Sequence, residues 1–321
     1  MKSAKSKLKK IKSDASFRSF YRKTNNKINS IIVYATKEKK QNLLIYDAIN
    51  SLLIENKILA PKLYKENYKE NFIEIEDFGD DTIFRLLKKS GSSKINLYKK
   101  SIELLIKIQK IKQNKIKNFR GKIYKVPIYH VNKLFKEAKL FSDWYAKKYI
   151  SKKKLSMLNV EINNQVKFLL SNLKLKNDTL VHRDFHVSNL MQCKKGLATI
   201  DTQDALIGNI AYDLASLIDD VRFKSNKKLK DNIYNYYLKL SKKKVNKVIL
   251  LNDFEILSVI RNMKIIGIFT RLATRDKKKI YLKLIPHAWK LIELRMKDNQ
   301  IFDGLKRVLD INFSKKIRNL K

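Results

Sequence analysis

A chain of 321 residues with 44% hydrophobic and 32% charged side chains is apolar enough to bury a substantial core, which excludes a disordered polycation despite a net charge of +42. Of its 72 basic residues only 12 are Arg, and the Lys are spread in short clusters such as Lys37 to Lys40, Lys152 to Lys154 and Lys242 to Lys244. Nucleic-acid readers exploit the Arg fork, so this charge reads as a solvated surface and no specific nucleic-acid partner is expected.

A single cysteine, Cys193, excludes an intramolecular disulfide and a multi-cysteine metal site. The basic N-terminus lacks the apolar stretch of a secretory signal, and no apolar run approaches the ~18 residues of a membrane span. The expectation is a cytoplasmic protein with no membrane partner.

In chain order, residues 17–22 and 30–35 are short, rich in aromatic or β-branched side chains, and separated by Thr24, Asn25 and Asn26, which predicts a hairpin. Leu43, Leu44, Tyr46, Ala48, Ile49, Leu52 and Leu53 recur at helical spacing, and Pro61 marks the return to extended chain. Leu63 and Tyr64 predict a further strand, as do residues 72–76, whose apolar and acidic residues alternate as in a half-exposed strand. Past Asp77 the period changes. Residues 83–88, 97–111, 131–149, 160–173, 212–223, 233–240, 254–272 and 281–296 carry apolar side chains at a period of 3.6. The expected class is α+β, with a β-rich lobe over 1–77 and a helical lobe over 78–321, hinged near residue 77.

Two short apolar segments interrupt the helical half: Leu180 with Val181, and residues 197–200. Between them lies HRDFHVSNLM, residues 182–191, and Asp201 follows the second. Asp184, four residues and then Asn189 match H-R-D-x-x-x-x-N, in which the Asp receives the acceptor hydroxyl proton and the Asn holds magnesium. Asp201 stands where the metal-binding Asp of a D-F-G element would be. Phosphoryl transfer consists mainly of positioning and charge neutralisation, which such oxygen ligands on a hard cation provide. Each Asp taken singly reads equally well as a turn acid, but the three spacings together are improbable by chance. His182 reads as a structural hydrogen-bonding residue, and His186 either touches substrate or caps the loop.

With those residues in place, the chain resembles the aminoglycoside phosphotransferase and choline kinase superfamily. Within it, the chain is similar to bacterial cell-wall sugar kinases that phosphorylate the anomeric hydroxyl of N-acetylmuramate and N-acetylglucosamine. DASFRSFYR at 14–22, EIEDFGDDT at 74–82, FSDWYAKKY at 141–149, the HRD segment, IDTQDALIGNIAYDLASL at 200–217 and RNMKIIGIFTRLATRD at 261–276 carry the resemblance.

The resemblance implies a bilobal protein-kinase-like fold, ATP and Mg2+ as cofactors, and a small sugar as partner. The product would be a sugar 1-phosphate for peptidoglycan recycling. Adenine would lie against the hinge at Glu74, Glu76 and Phe78, through backbone groups. Asp213 would prop the catalytic loop, although it also reads as the N-cap of the helix that follows. Asp204 joins His186 as a candidate substrate contact. Arg271 and Arg275 would suit the carboxylate of a muramate, or else pair with Asp276 on the surface.

Two departures bear on the phosphates. No Gly-rich loop is present, and Lys12 to Ser16 stand in its place, so Ser13 and Ser16 are the candidate donors. Strand 30–35 lacks the usual Lys, for which Arg18, Arg22 or Lys37 could substitute. Thr202 replaces the D-F-G aromatic, which changes packing but not metal binding. The competing readings are phosphorylation of choline, ethanolamine or another small alcohol, and a non-catalytic basic protein that binds RNA. An aminoglycoside, being cationic, needs an acidic cleft that this chain can form only locally.

Overall fold

The change from a period of 2 to one of 3.6 is visible in the order of the elements. The computed structural model describes residues 7–11, 18–24, 29–35, 41–89, 91, 93–241 and 246–320, so Ser13, Ser16, Phe17 and Lys37 lie outside the described residues. The first part contains β1 (Lys7–Ile11), β2 (Ser19–Thr24), β3 (Ser30–Tyr34), α1 (Gln41–Glu55), β4 (Leu63–Asn67) and β5 (Phe72–Glu76). Next come α2 (Ile83–Lys88), α3 (Lys94–Gln109), β6 (Lys115–Lys117), β7 (Ile123–Lys125), α4 (Val131–Ala138), a π-helical segment (Phe141–Ala146), α5 (Lys147–Tyr149) and α6 (Lys152–Ser171). Four short strands follow: β8 (Asn177–Val181), β9 (Leu190–Cys193), β10 (Gly196–Thr199) and β11 (Leu206–Asn209). The rest is helical: α7 (Ala211–Ile218), α8 (Lys227–Leu240), α9 (Lys247–Thr274), α10 (Ile285–Met296), α11 (Asp303–Asn312) and α12 (Lys315–Arg318).

Packing divides the chain into one unit of residues 1–127 and 180–207 and another of 128–179 and 208–321. The change of period at residue 77 therefore falls inside the first unit.

In the first unit, β1 to β5 form one antiparallel sheet in the order β1-β2-β3-β5-β4. The alternation in β5 buries Ile73 and Ile75, which join Val33, Ala35, Leu43 and Tyr46 in a core that spans the sheet and α1. Truncating one of these fully buried aliphatics to Ala would cost about 2–5 kcal/mol. The Lys-rich β1 forms the sheet edge, where lysines discourage pairing with another chain. Backbone bonds from Phe84 to Val187, Gln192 to Asp81 and Thr199 to Leu59 (2.8, 2.8 and 2.9 Å) tie residues 187–199 into this unit.

The second unit is built around α9, most of whose side chains are buried. A Cβ at Gly267 would stand 2.3 Å from the backbone carbon of Leu140, so only glycine allows this approach to the π-helical segment. The helix expected over 131–149 is thus broken into α4, that segment and α5. The helix expected over 281–296 begins as a 3-10 segment (Lys279–Leu284) and becomes α-helical at Ile285, with Pro286 in its first turn. Among the described residues, no helix is long and apolar enough to cross a membrane.

Candidate active site

Leu180 and Val181, buried at the end of β8, lead the chain into the loop that starts at His182. The hairpin of β9 and β10 then closes the gap between two site residues. Its register pairs Leu190 with Thr199, and Gly196 makes the turn at φ +129°. Asn189 and Ile200 therefore face each other, with the Ile200 amide donating to the Asn189 carbonyl at 3.0 Å. Asp201, the next residue, is delivered beside Asn189.

Further bonds strap the loop to the segment after β10. His182 Nε2 lies 3.0 Å from the Ile200 carbonyl, and Arg183 donates to the carbonyl of Asp204 at 3.1 Å and to its carboxylate at 3.4 Å. Asn189 Nδ2 donates to the Asp184 carbonyl at 3.0 Å, so the amide oxygen is the atom of this side chain that could serve a cation. Its amide nitrogen also sits 3.5 Å from His186 Nε2. Arg183 and Asp201 hold φ values of +71° and +62°, a left-handed backbone that costs a non-glycine residue free energy and occurs mainly where surrounding bonds enforce it.

The electrostatics single out Asp201. Burial pushes its carboxyl above the usual carboxylate range; Arg18 opposes that rise and the charge of Asp184 adds to it. Even so, 38% of the side chain remains exposed, so the carboxylate is both electrostatically stressed and accessible. Arg18, itself buried, approaches Asp201 to 3.6 Å and stands over the Tyr46 ring at 5.9 Å. Thr202 donates to Asn50 Oδ1 at 2.6 Å, and Asn50 Nδ2 donates to the Pro61 carbonyl at 3.2 Å. The Thr that replaces an aromatic thus bonds to α1 as well as altering packing. In the sequence Tyr46 reads only as a member of the apolar period of α1 and Asn50 goes unnoticed within it, so neither was a site candidate.

Two carboxylates and an amide oxygen form an all-oxygen donor set, which suits a hard divalent cation, and such a cation would relieve the repulsion between Asp184 and Asp201. No three His, Cys, Asp or Glu among the described residues gather at one point, so phosphate and water oxygens would have to complete the shell, as magnesium commonly requires.

Of the other candidates, Arg22 is committed elsewhere: it holds Asp77 at 2.5 Å, Asp80 at 3.1 Å and the Gly79 carbonyl at 3.0 Å. The Glu74 carboxylate takes bonds from Ser30 at 2.5 Å and Lys23 at 3.1 Å, and Glu76 pairs with Lys195 at 3.1 Å. Phe78 is half-buried beyond β5. Asp213 and Arg271 belong to the second unit. Asp213 is fully buried in the first turn of α7, whose N-cap is Ile210; the N-cap reading of Asp213 is corrected, because the helix begins three residues earlier than that reading requires.

The profile of the phosphotransferase enzyme family matches residues 7–243. N-acetylmuramate/N-acetylglucosamine kinase of Pseudomonas putida is 24% identical over 286 residues, covering 87% of this chain and 80% of the relative. The protein of that name from Neisseria meningitidis is 26% identical over 280 residues, covering 85% and 80%. Among solved structures, choline kinase from Cryptosporidium parvum aligns over 96% of this chain and 92% of its own, with a TM-score of 0.61 at 12% identity. Plasmodium vivax ethanolamine kinase aligns over 90% and 82%, with a TM-score of 0.60 at 14% identity. These structures share the kinase-like fold. On the match to most of its length, the chain belongs to the phosphotransferase enzyme family and is a small-molecule kinase.

Proposed function

We propose that this protein is an ATP- and magnesium-dependent kinase that phosphorylates the anomeric hydroxyl of an amino sugar, N-acetylmuramate or N-acetylglucosamine, during cytoplasmic recycling of cell-wall material. The observation that carries the reading is the convergence of the Asn189 amide, the Asp201 carboxylate and the Arg18 guanidinium beside the charge of Asp184. The names of the relatives at about a quarter identity support the choice of sugar.

In this reading Asp184 orients the acceptor hydroxyl and takes its proton, while Asn189 and Asp201 hold the cation. Magnesium, when bound, neutralises the charge that develops on the transferred phosphoryl group. Arg18 takes the part of the missing strand lysine, since Arg22 is occupied at the hinge side. His182 and Arg183 keep the loop against residues 200–204. The backbone of residues 74–78 receives the adenine, and Asp213 is a buried residue of α7 with a structural part.

The test is ADP release from ATP and magnesium with a panel of amino sugars, choline and ethanolamine, with the acid lability of the product reporting an anomeric phosphate. Asp184→Asn should lower turnover about 10²- to 10⁴-fold. An unchanged rate would remove Asp184 from the chemistry.

A further inference from the structure

The turn after Asp201 is closed by the Ala205 amide, which donates to the Thr202 carbonyl at 3.0 Å and puts Gln203 and Asp204 at the two central positions. A Gln at such a position ordinarily extends into water, where its long side chain keeps its rotamer freedom. Here it folds back. Its Nε2 donates to Asp201 Oδ1 at 3.1 Å and to Asp204 Oδ2 at 3.3 Å. An ionised carboxylate only accepts hydrogen bonds, so two of them facing one amide require its nitrogen between them.

The other end of the same amide is badly placed for stability. Among the described residues Gln203 Oε1 has no hydrogen-bond partner, and it is closed off from water. A buried carbonyl without a donor destabilises a fold, so an apolar side chain of similar shape would serve the fold better. What the glutamine provides is its donor. Among the described residues both contacts of the Asp201 carboxylate fall on one oxygen: Gln203 bonds Oδ1, and Arg18 approaches Oδ1 at 3.6 Å. Oδ2 is left as the oxygen for a cation. The Asp204 carboxylate is engaged on both sides, at Oδ2 by Gln203 and at Oδ1 by Arg183 at 3.4 Å. Arg183 immediately precedes Asp184. A continuous line of bonds thus runs from the residue beside Asp184, through Asp204 and Gln203, to Asp201, all inside the first unit.

We infer that Gln203 is a positioning residue of the cation site: its amide holds the Asp201 carboxylate with Oδ2 toward the cation, and Asp204, anchored on Arg183, holds the amide. Carboxylates that bind metal are commonly fixed by hydrogen bonds of this kind, and losing one loosens the metal without removing a ligand. This rests on the reading of Asp201 as a cation ligand. It adds the residue that aims that ligand, and it gives Asp204 a part other than contact with substrate.

The experiment titrates the full chain with Mn2+ in place of magnesium, in the presence of ADP, and follows the ion by electron paramagnetic resonance against a blank of ADP alone. Thermal unfolding of the same protein is recorded without metal. Gln203→Met keeps the length of the side chain and removes both the donor and the buried carbonyl. It should raise the Mn2+ dissociation constant about 10- to 100-fold. Its metal-free melting temperature should stay at or above that of the parent, which a merely structural glutamine would not allow. In turnover, about tenfold more magnesium should recover much of the activity lost when magnesium is limiting, as for a ligand poorly aimed and not absent. Gln203→Leu reads the same constant if the Met variant melts too low to titrate. A dissociation constant within about twofold of the parent in both variants overturns the inference and leaves the cation site standing. A parent that binds no Mn2+ beyond the blank overturns the cation site and the inference together.

Discussion

Asp201 and Asp219 are the same residue type in opposite electrostatic situations. Asp219, fully buried in the second unit, accepts bonds from Lys230 at 2.8 Å, Arg295 at 2.8 and 3.2 Å, and Ser258 at 2.6 Å. Those two cations hold its carboxyl well below the usual range. Asp201 has one guanidinium at 3.6 Å, the charge of Asp184 nearby and a carboxyl pushed upward. Burial of an acid therefore does not identify a site. A shortfall of compensating charge at an accessible carboxylate is a deficit that a bound cation would fill, and that is the part proposed for Asp201.

Removing each acid should separate the two cases. Asp219→Asn leaves Lys230 and Arg295 buried without their counter-charge, so unfolding in urea should show a loss of about 3–5 kcal/mol. The pH dependence follows from the sign. A carboxyl whose folded pKa is depressed stabilises the fold above its unfolded value of about 4 and loses that contribution as pH falls through the folded value. The difference between parent and variant should therefore be flat from neutrality to about pH 4 and shrink below it. A difference that instead grew on acidification would contradict the assignment of Asp219 as a structural anion.

Asp201→Asn should behave the other way, losing about 10²- to 10³-fold in turnover while its urea midpoint stays near that of the parent. Relief of the repulsion from Asp184 offsets the lost contact with Arg18. A variant that unfolded as readily as Asp219→Asn would mean that Asp201 is a structural acid too, and the contrast between the two regions would disappear.

The two regions also differ in how far their sequence could be read. The H-R-D-x-x-x-x-N spacing is local, so Asp184 and Asn189 stand out as candidates in the sequence alone, and the apolar run before Asp201 announced a strand, which the structure gives as β10. Arg18 was legible only as one of three candidates. The proposed preference for it over Arg22 rests on the position of Arg22 against Asp77 and Asp80, a contact across more than fifty residues of chain. Tyr46 and Asn50 were hidden because a helix that buries one face shows the same period whether a polar member is a spacer or a partner. The break at Phe141–Ala146 was hidden for a similar reason: widening one turn shifts backbone bonds while leaving the apolar pattern nearly intact. Which arginine Asp276 bonds to was likewise decided only by the fold: Arg275 holds it with two bonds.

The smallest effect concerns what holds Asp201 in its left-handed backbone. Thr202 is wholly buried, and its hydroxyl donates to Asn50, which is itself anchored on the Pro61 carbonyl. Thr202→Val keeps the shape and leaves the Asn50 oxygen buried without a donor, so stability should fall by about 1–2 kcal/mol. Asn50→Ala removes the same bond from the other side. If the bond is the shared cause, the double variant should lose less than the sum of the two single losses, by about 0.5–1.5 kcal/mol in a thermodynamic cycle. Strict additivity would mean that the hydroxyl and the amide act separately, and that Asp201 owes its conformation to the straps from His182 and Arg183 instead.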